Sequence, residues 1–241
     1  MTLTTRRAAA LLIAMSLAAA ACSSSAKKTS PTSTTTSSVP ASSTTSSTAP
    51  STTTTAVQNA PWTAVWPTAA STARYQDPVA AVRAFATVYL RFVAPIVGQF
   101  EQGDAHSGEV PIRAKAAGPV TTVIVRQLGT DGSWSVLGAA TPNIRLTEPT
   151  ALATLTSPVR LRGSSSAFEA TVQVSIRQDD SATALRDGFV MGGSLQMGPF
   201  DSTFTFATPT SRYGAIVLDT ISPEDGHVTE ATVIRVRFSP T

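Results

Sequence analysis

The chain has 241 residues, with two histidines, one cysteine and 15 acidic side chains. Histidine-based catalysis therefore has only His106 and His227 to work with. Asp104, His106 and Glu109 offer a set of possible metal ligands, but a single imidazole on a glycine-rich loop reads as solvated. Ser222, Asp225 and His227 supply the residue types of a nucleophilic triad. They fall within one six-residue turn, where a base can hardly reach both its nucleophile and its orienting acid. Asp179, Asp180 and Asp187 could offer loop oxygens to calcium, though a solvated turn is the better reading. No phosphate-cradling glycine loop and no metal-spaced cysteines occur. Paired carboxylates for glycoside cleavage need only spatial proximity, so a sequence does not decide on them. These residues point to no catalytic site, no metal and no cofactor.

Charge narrows the partners. The formal net charge is +3. Without Arg6, Arg7, Lys27 and Lys28, 14 of the 18 basic residues face all 15 acidic ones, so the remainder carries −1. Nucleic-acid binding needs a clustered basic footprint, which is absent.

The one cysteine, Cys22, stands where export chemistry would use it. Arg6 and Arg7 precede an apolar run from Ala8 to Ala21. That run is too short for a bilayer core, which takes ~20 helical residues, but it has the length of a signal-peptide h-region. Ala19-Ala20-Ala21-Cys22 followed by serines resembles the lipobox of bacterial lipoproteins. The resemblance implies that residues 1–21 are a signal peptide and that Cys22 becomes an acylated, palmitate-bearing N-terminus. The protein would then lie outside the cytoplasm, held to the cell membrane by its lipid. Several acyl chains on one cysteine suffice for stable attachment.

Residues 22–60 are nearly all Ser, Thr, Ala and Pro, and no aromatic residue precedes Trp62. Such a composition buries too little apolar surface to offset chain entropy. It predicts a disordered tether, with O-glycosylation sites among its hydroxyls, spanning about 30–35 Å as a coil.

Two folded segments follow. In residues 61–142, Asp77-Pro78 marks a helix start, and Val79, Val82, Phe85, Ala86, Tyr89 and Val93 keep helical spacing up to Pro95. Three strands are expected around Val110–Ala114, Val120–Leu128 and Ser133–Ala140, the last two joined by the Gly129–Gly132 turn. This is a small α+β module: one helix and a small antiparallel sheet. Gly132-Ser133-Trp134-Ser135-Val136 loosely resembles the strand ending of cystatin-like or nuclear-transport-factor-like accessory domains of envelope lipoproteins. Trp62, Trp66 and Trp134 are packing anchors or, alternatively, stacking rings for a carbohydrate.

Residues 143–241 read as all-β, with strands at 144–147, 159–162, 168–177, 202–207, 213–218 and 232–238. Val172, Val174 and Ile176 alternate with polar residues, Phe204 and Phe206 share a face, and Ile234, Val236 and Phe238 oppose Arg235 and Arg237. An immunoglobulin-like sandwich fits this pattern. The run Ser157-Pro158-Val159, Ala167–Val172, Gly192-Gly193, Gly198-Pro199-Phe200, Phe204-Thr205-Phe206 and Ser222–Gly226 resembles the immunoglobulin-like domain associated with bacterial spore-germination proteins, often named Gmad2. The resemblance implies a sandwich without an established catalytic site, related to spore-germination-type proteins. Glu169, beside Phe168, is expected to pair with backbone or an arginine, or to mark a ligand face.

The sequence thus predicts a lipid-anchored, extracytoplasmic, non-catalytic binding or scaffolding protein of the bacterial envelope. Its partner would be an envelope protein or, alternatively, a cell-wall carbohydrate such as peptidoglycan. Gly188–Pro199, carrying Phe189, Met191, Leu195 and Met197, is the candidate contact loop, with a connection tucked onto the core as the plainer reading.

Overall fold

The computed structural model describes residues 59–239. The expectations for the signal peptide, for Cys22 and for the tether as far as residue 58 lie outside them.

The single α-helix among the described residues, α1 (Pro78–Ala84), starts as its sequence dictates. Asp77 is extended, its carboxylate accepts the Val79 N–H, and Pro78 needs no donor. The helix is shorter than its apolar spacing predicts. It widens into a π turn over Phe85–Tyr89 and stops at Arg91, whose φ is 64°. The Phe92 N–H closes that end on the Ala86 carbonyl, the left-handed C-terminal arrangement that satisfies an orphan acceptor. Val93 falls beyond the end and is exposed, so Pro95 is not what terminates the helix.

The strands are β1 (Ile96–Val97), β2 (Glu101–Asp104), β3 (Ser107–Arg113), β4 (Thr121–Gln127), β5 (Trp134–Ala140), β6 (Ile144–Glu148), β7 (Thr154–Leu155), β8 (Val159–Ser165), β9 (Thr171–Gln178), β10 (Arg186–Met191), β11 (Gly198–Phe204), β12 (Tyr213–Ile221) and β13 (Val228–Phe238). Three differ usefully from the sequence reading. The glycine-rich loop expected around His106 is the tip of a β2–β3 hairpin. Residues 168–170 form a 3-10 turn with Glu169 and Ala170 at positive φ, so β9 begins only at Thr171. The strand placed at 202–207 runs from Gly198 to Phe204 instead.

A ten-stranded sheet has the order β1-β3-β4-β5-β13-β12-β9-β10, with β2 on β3 and β7 on β13, and a second sheet has the order β11-β8-β6. The two meet as an immunoglobulin-like sandwich over the β13-β12-β9-β10 half of the large sheet. Leu161, Phe200 and Phe204 of the small sheet pack there with Val172, Val174, Ile176, Ile216, Leu218, Val236 and Phe238. The β12–β13 hairpin also packs its reverse face. Ala215, Val217, Ala231 and Val233 join Val82 of α1, Phe85 of the π turn and the β3–β5 residues Val110, Ile112, Val123 and Val136 in the other core. Alternation along a strand puts neighbouring residues on opposite faces, so one hairpin serves both cores.

Between β5 and β13 the ladder narrows to one register pair, Val233↔Ala139. A Cβ on Gly138 would lie 2.6 Å from the Val233 carbonyl. Only glycine permits that approach.

Candidate functional site

His106 and the Ser222, Asp225 and His227 set are committed to turns. The His106 N–H donates to Asp104 Oδ1 at 2.8 Å, and His106 Nδ1 lies 3.0 Å from Gln127 Oε1. Backbone donation from His106, then the Ser107 hydroxyl and Arg126, holds the Asp104 carboxyl below its usual range. Glu109 sits along β3 opposite Glu101. In the 222–227 turn, the His227 N–H donates to Asp225 Oδ1 and the Glu224 N–H to Ser222 Oγ. Gly226 carries the positive φ the turn requires. No bond joins the His227 ring to Ser222 or Asp225, so the triad elements are present as types only. Among the described residues no cluster of three His, Cys, Asp or Glu side chains is placed to hold a metal ion.

Of the three aspartates considered for calcium, Asp180 and Asp187 are exposed, while Asp179 departs from the solvated reading. Asp179 makes a two-pronged ion pair with Arg235 at 2.5 and 2.6 Å. Arg235 is 2% exposed, donates also to the Trp62 carbonyl and lies over the Tyr213 ring, its guanidinium carbon 5.5 Å from the centroid. The alternation did place Arg235 opposite Ile234 and Val236, but the 61–66 segment covers that face. Asp180 accepts from Thr68. Asp187 lies on β10.

The tryptophans are packing anchors. Trp62 stacks on Tyr213 at 5.2 Å and carries Arg237 on its ring at 5.0 Å. Trp66 meets Tyr89, and Trp134 meets Phe100 edge-on. On Trp62 these neighbours take up ring surface that a stacked sugar would need.

A second buried acid sequence reading missed is Glu230. Its carboxylate accepts from Thr141, Asn143 and Thr220. It thereby fixes the corner where the chain leaves β5 for β6. No local signal in Thr229-Glu230-Ala231 announces this, because the donors come from residues far along the chain.

On the helix side of the large sheet, β9 and β10 extend past α1. Asp187 and Asp219 line one concave surface there with Gln173, Arg177, Arg91 and His227, about 450 Å³ in volume. Burial pushes the Asp219 carboxyl up to about 6, against the opposing pull of Arg177 and Arg91. The Arg177 guanidinium is held by the Tyr89 carbonyl at 2.7 Å and lies over the Tyr89 ring. Burial in turn pushes the Tyr89 phenol up to about 12.

Further along the same face stand the expected contact residues, in a different setting from a loop. Phe189 and Met191 belong to edge strand β10, paired with Gln173 and Thr171 of β9. Val190 between them points into the core. Only residues 192–197 form the connection to β11. Gly192 and Gly193 bond the Ala170 and Ser165 carbonyls, and the Ala167 N–H bonds Gly193. A Cβ on Gly193 would lie 1.8 Å from the Gln196 carbonyl, so the sharp corner excludes larger residues. This tether brings the 167–170 turn, with Phe168, against the corner. Phe168, Phe189, Met191, Leu195 and Met197 are all exposed, Leu195 at 96%. Glu169 has no side-chain partner, in contrast to the pairing expected of it.

Residues 143–227 match the family described as Gmad2, an immunoglobulin-like domain of bacterial spore germination. No curated protein and no solved structure matches the chain.

Proposed function

We propose that this chain is a lipid-anchored, extracytoplasmic binding or scaffolding protein of the bacterial cell envelope, without catalytic activity, that engages an envelope protein through the β10–β11 corner. The observation that carries the reading is the exposure of five large apolar side chains, Phe168, Phe189, Met191, Leu195 and Met197, on the β10–β11 corner and the 167–170 turn bonded to it. Isolated exposed apolar residues need no explanation, whereas grouped ones mark interaction surfaces. Burying side chains of this kind in a partner contributes roughly 1.5–3 kcal/mol each before the costs of association. The Gmad2 match supports an immunoglobulin-like sandwich. The lipobox-like stretch ending in Cys22 supports the anchor, and the Ser/Thr-rich segment supports reach from the membrane.

Two arms test this. Metabolic labelling with a palmitate analogue should mark the wild-type chain and not Cys22→Ala, and the variant should leave the membrane fraction. A chain with Leu195→Glu and Met197→Glu should stay folded and anchored yet lose its co-purifying envelope partner. An unlabelled, soluble wild type sinks the anchor, and unchanged partners in the double variant sink the corner.

A further inference from the structure

The opposite face of the large sheet has its own uncovered quarter. The small sheet covers the β13-β12-β9-β10 half of that face and stops at its edge strand β6. Beyond it, the even-numbered side of β4 stays bare. Thr122, Ile124 and Arg126 lie there, while Thr121, Val123 and Val125 are buried toward α1. Because β5 and β13 share one register pair, the floor opens into a groove of about 840 Å³. Its walls carry Ile124, Leu137, Leu146, Leu152 and Ile234. That volume falls within the ~300–1,000 Å³ of small-molecule sites.

Charge and edge chemistry select the occupant. Among the groove's lining residues no Asp or Glu occurs, while Arg126, Arg145 and Arg235 do. Arg235 is consumed by Asp179. Arg126 is held by Asn59 and Asp104. Arg145 is exposed and has no side-chain partner. An extended peptide would need to add to the β6 edge, and that edge is blunted. The Ile144 N–H already bonds Thr141 and its carbonyl accepts from Thr232. The register slips after Leu146, and Pro142 and Pro149 flank the strand without donors. An alkyl chain needs no such partners, and a guanidinium matches a carboxylate.

We propose that this groove binds a long-chain fatty acid, its alkyl chain along Ile124, Leu137 and Ile234 and its carboxylate at Arg145. The site is separate from the β10–β11 corner and does not depend on it.

The test uses the full chain carrying Cys22→Ala, so that no anchor acyl group contributes. Fluorescence of cis-parinaric acid should rise saturably, and palmitate should displace it. Leu137→Asp should weaken palmitate by roughly tenfold or more. Arg145→Gln, at an exposed position, should weaken palmitate several-fold and leave hexadecanol unchanged. Leu195→Glu, at the other surface, should bind as the parent does. Absence of saturable binding, or Leu137→Asp binding like the parent while unfolding at the same temperature, overturns the site. Equal loss of palmitate and hexadecanol in Arg145→Gln overturns the head-group assignment. Displacement by a lysophospholipid but not by palmitate overturns the ligand class.

Discussion

The two bare quarters of the ten-stranded sheet have opposite chemistry although one sheet carries both. On the helix side, β9 and β10 present Asp187, Asp219 and Arg177 beside the apolar Phe189 and Met191. On the other side, β4 and β5 present an aliphatic floor with arginine as the only charge type. The difference follows from what stands next to each. The helix side is bordered by Arg91, just past the π turn, and by the 222–227 turn, whereas the groove is bordered by the aliphatic edge of a sandwich. The helix side also shows two ways of burying an acid. Asp179 meets a guanidinium head-on, while Asp219 has arginines nearby but no hydrogen-bond donor, and its carboxyl rises to about 6.

Breaking the paired acid should have the largest effect. Asp179→Ala strands the Arg235 charge and should lose about 3–5 kcal/mol of stability in urea unfolding. The Asp179→Leu, Arg235→Met double variant should recover most of that loss.

Relieving the unpaired acid should act in the other direction. Asp219 has a folded pKa near 6, above its ordinary 3.8. It therefore binds more protons folded than unfolded between those values. Its contribution is fully present below about pH 4 and is lost as pH rises through 6. Asp219→Asn should be more stable than wild type by up to about 3 kcal/mol at pH 7.5 and match it at pH 4. Urea midpoints at the two pH values check this.

In the groove, Ile124→Asp should change stability by less than about 1 kcal/mol, because Ile124 is already exposed and only strand preference is lost. A large loss would mean that the groove is closed in solution. The smallest effect belongs to Arg160→Ala on the outer side of the small sheet. Its pair with Asp201 is solvent-exposed, and such pairs are screened, so the thermal midpoint should stay where it was.

Much of this arrangement is legible in residue order. Asp77-Pro78 marks the helix start to the residue, and the alternation of β9 and β13 names the sandwich core. The corner residues stand out by mixing glycines with large apolar side chains. Other features are not local. Arg235 looks solvent-facing because its cover, Trp62, and its partner, Asp179, are 173 and 56 residues away. Two-faced burial of β12 does leave a trace: Ala215-Ile216-Val217-Leu218 is continuously apolar rather than alternating, as strands covered on both faces are. The short edge strands β1 and β7, two residues each, carry too few side chains for any period to show. The groove is invisible in sequence because it arises from where the small sheet ends.

The corner is the surface on which the proposed function rests, and crosslinking in intact cells tests it most directly. A photoreactive residue at Leu195 should yield a discrete adduct with an envelope protein, lost on adding Phe189→Glu, while the same probe at Thr203, on the outer side of the small sheet, should yield none. Equal adducts from both positions, or none from Leu195, would contradict the account.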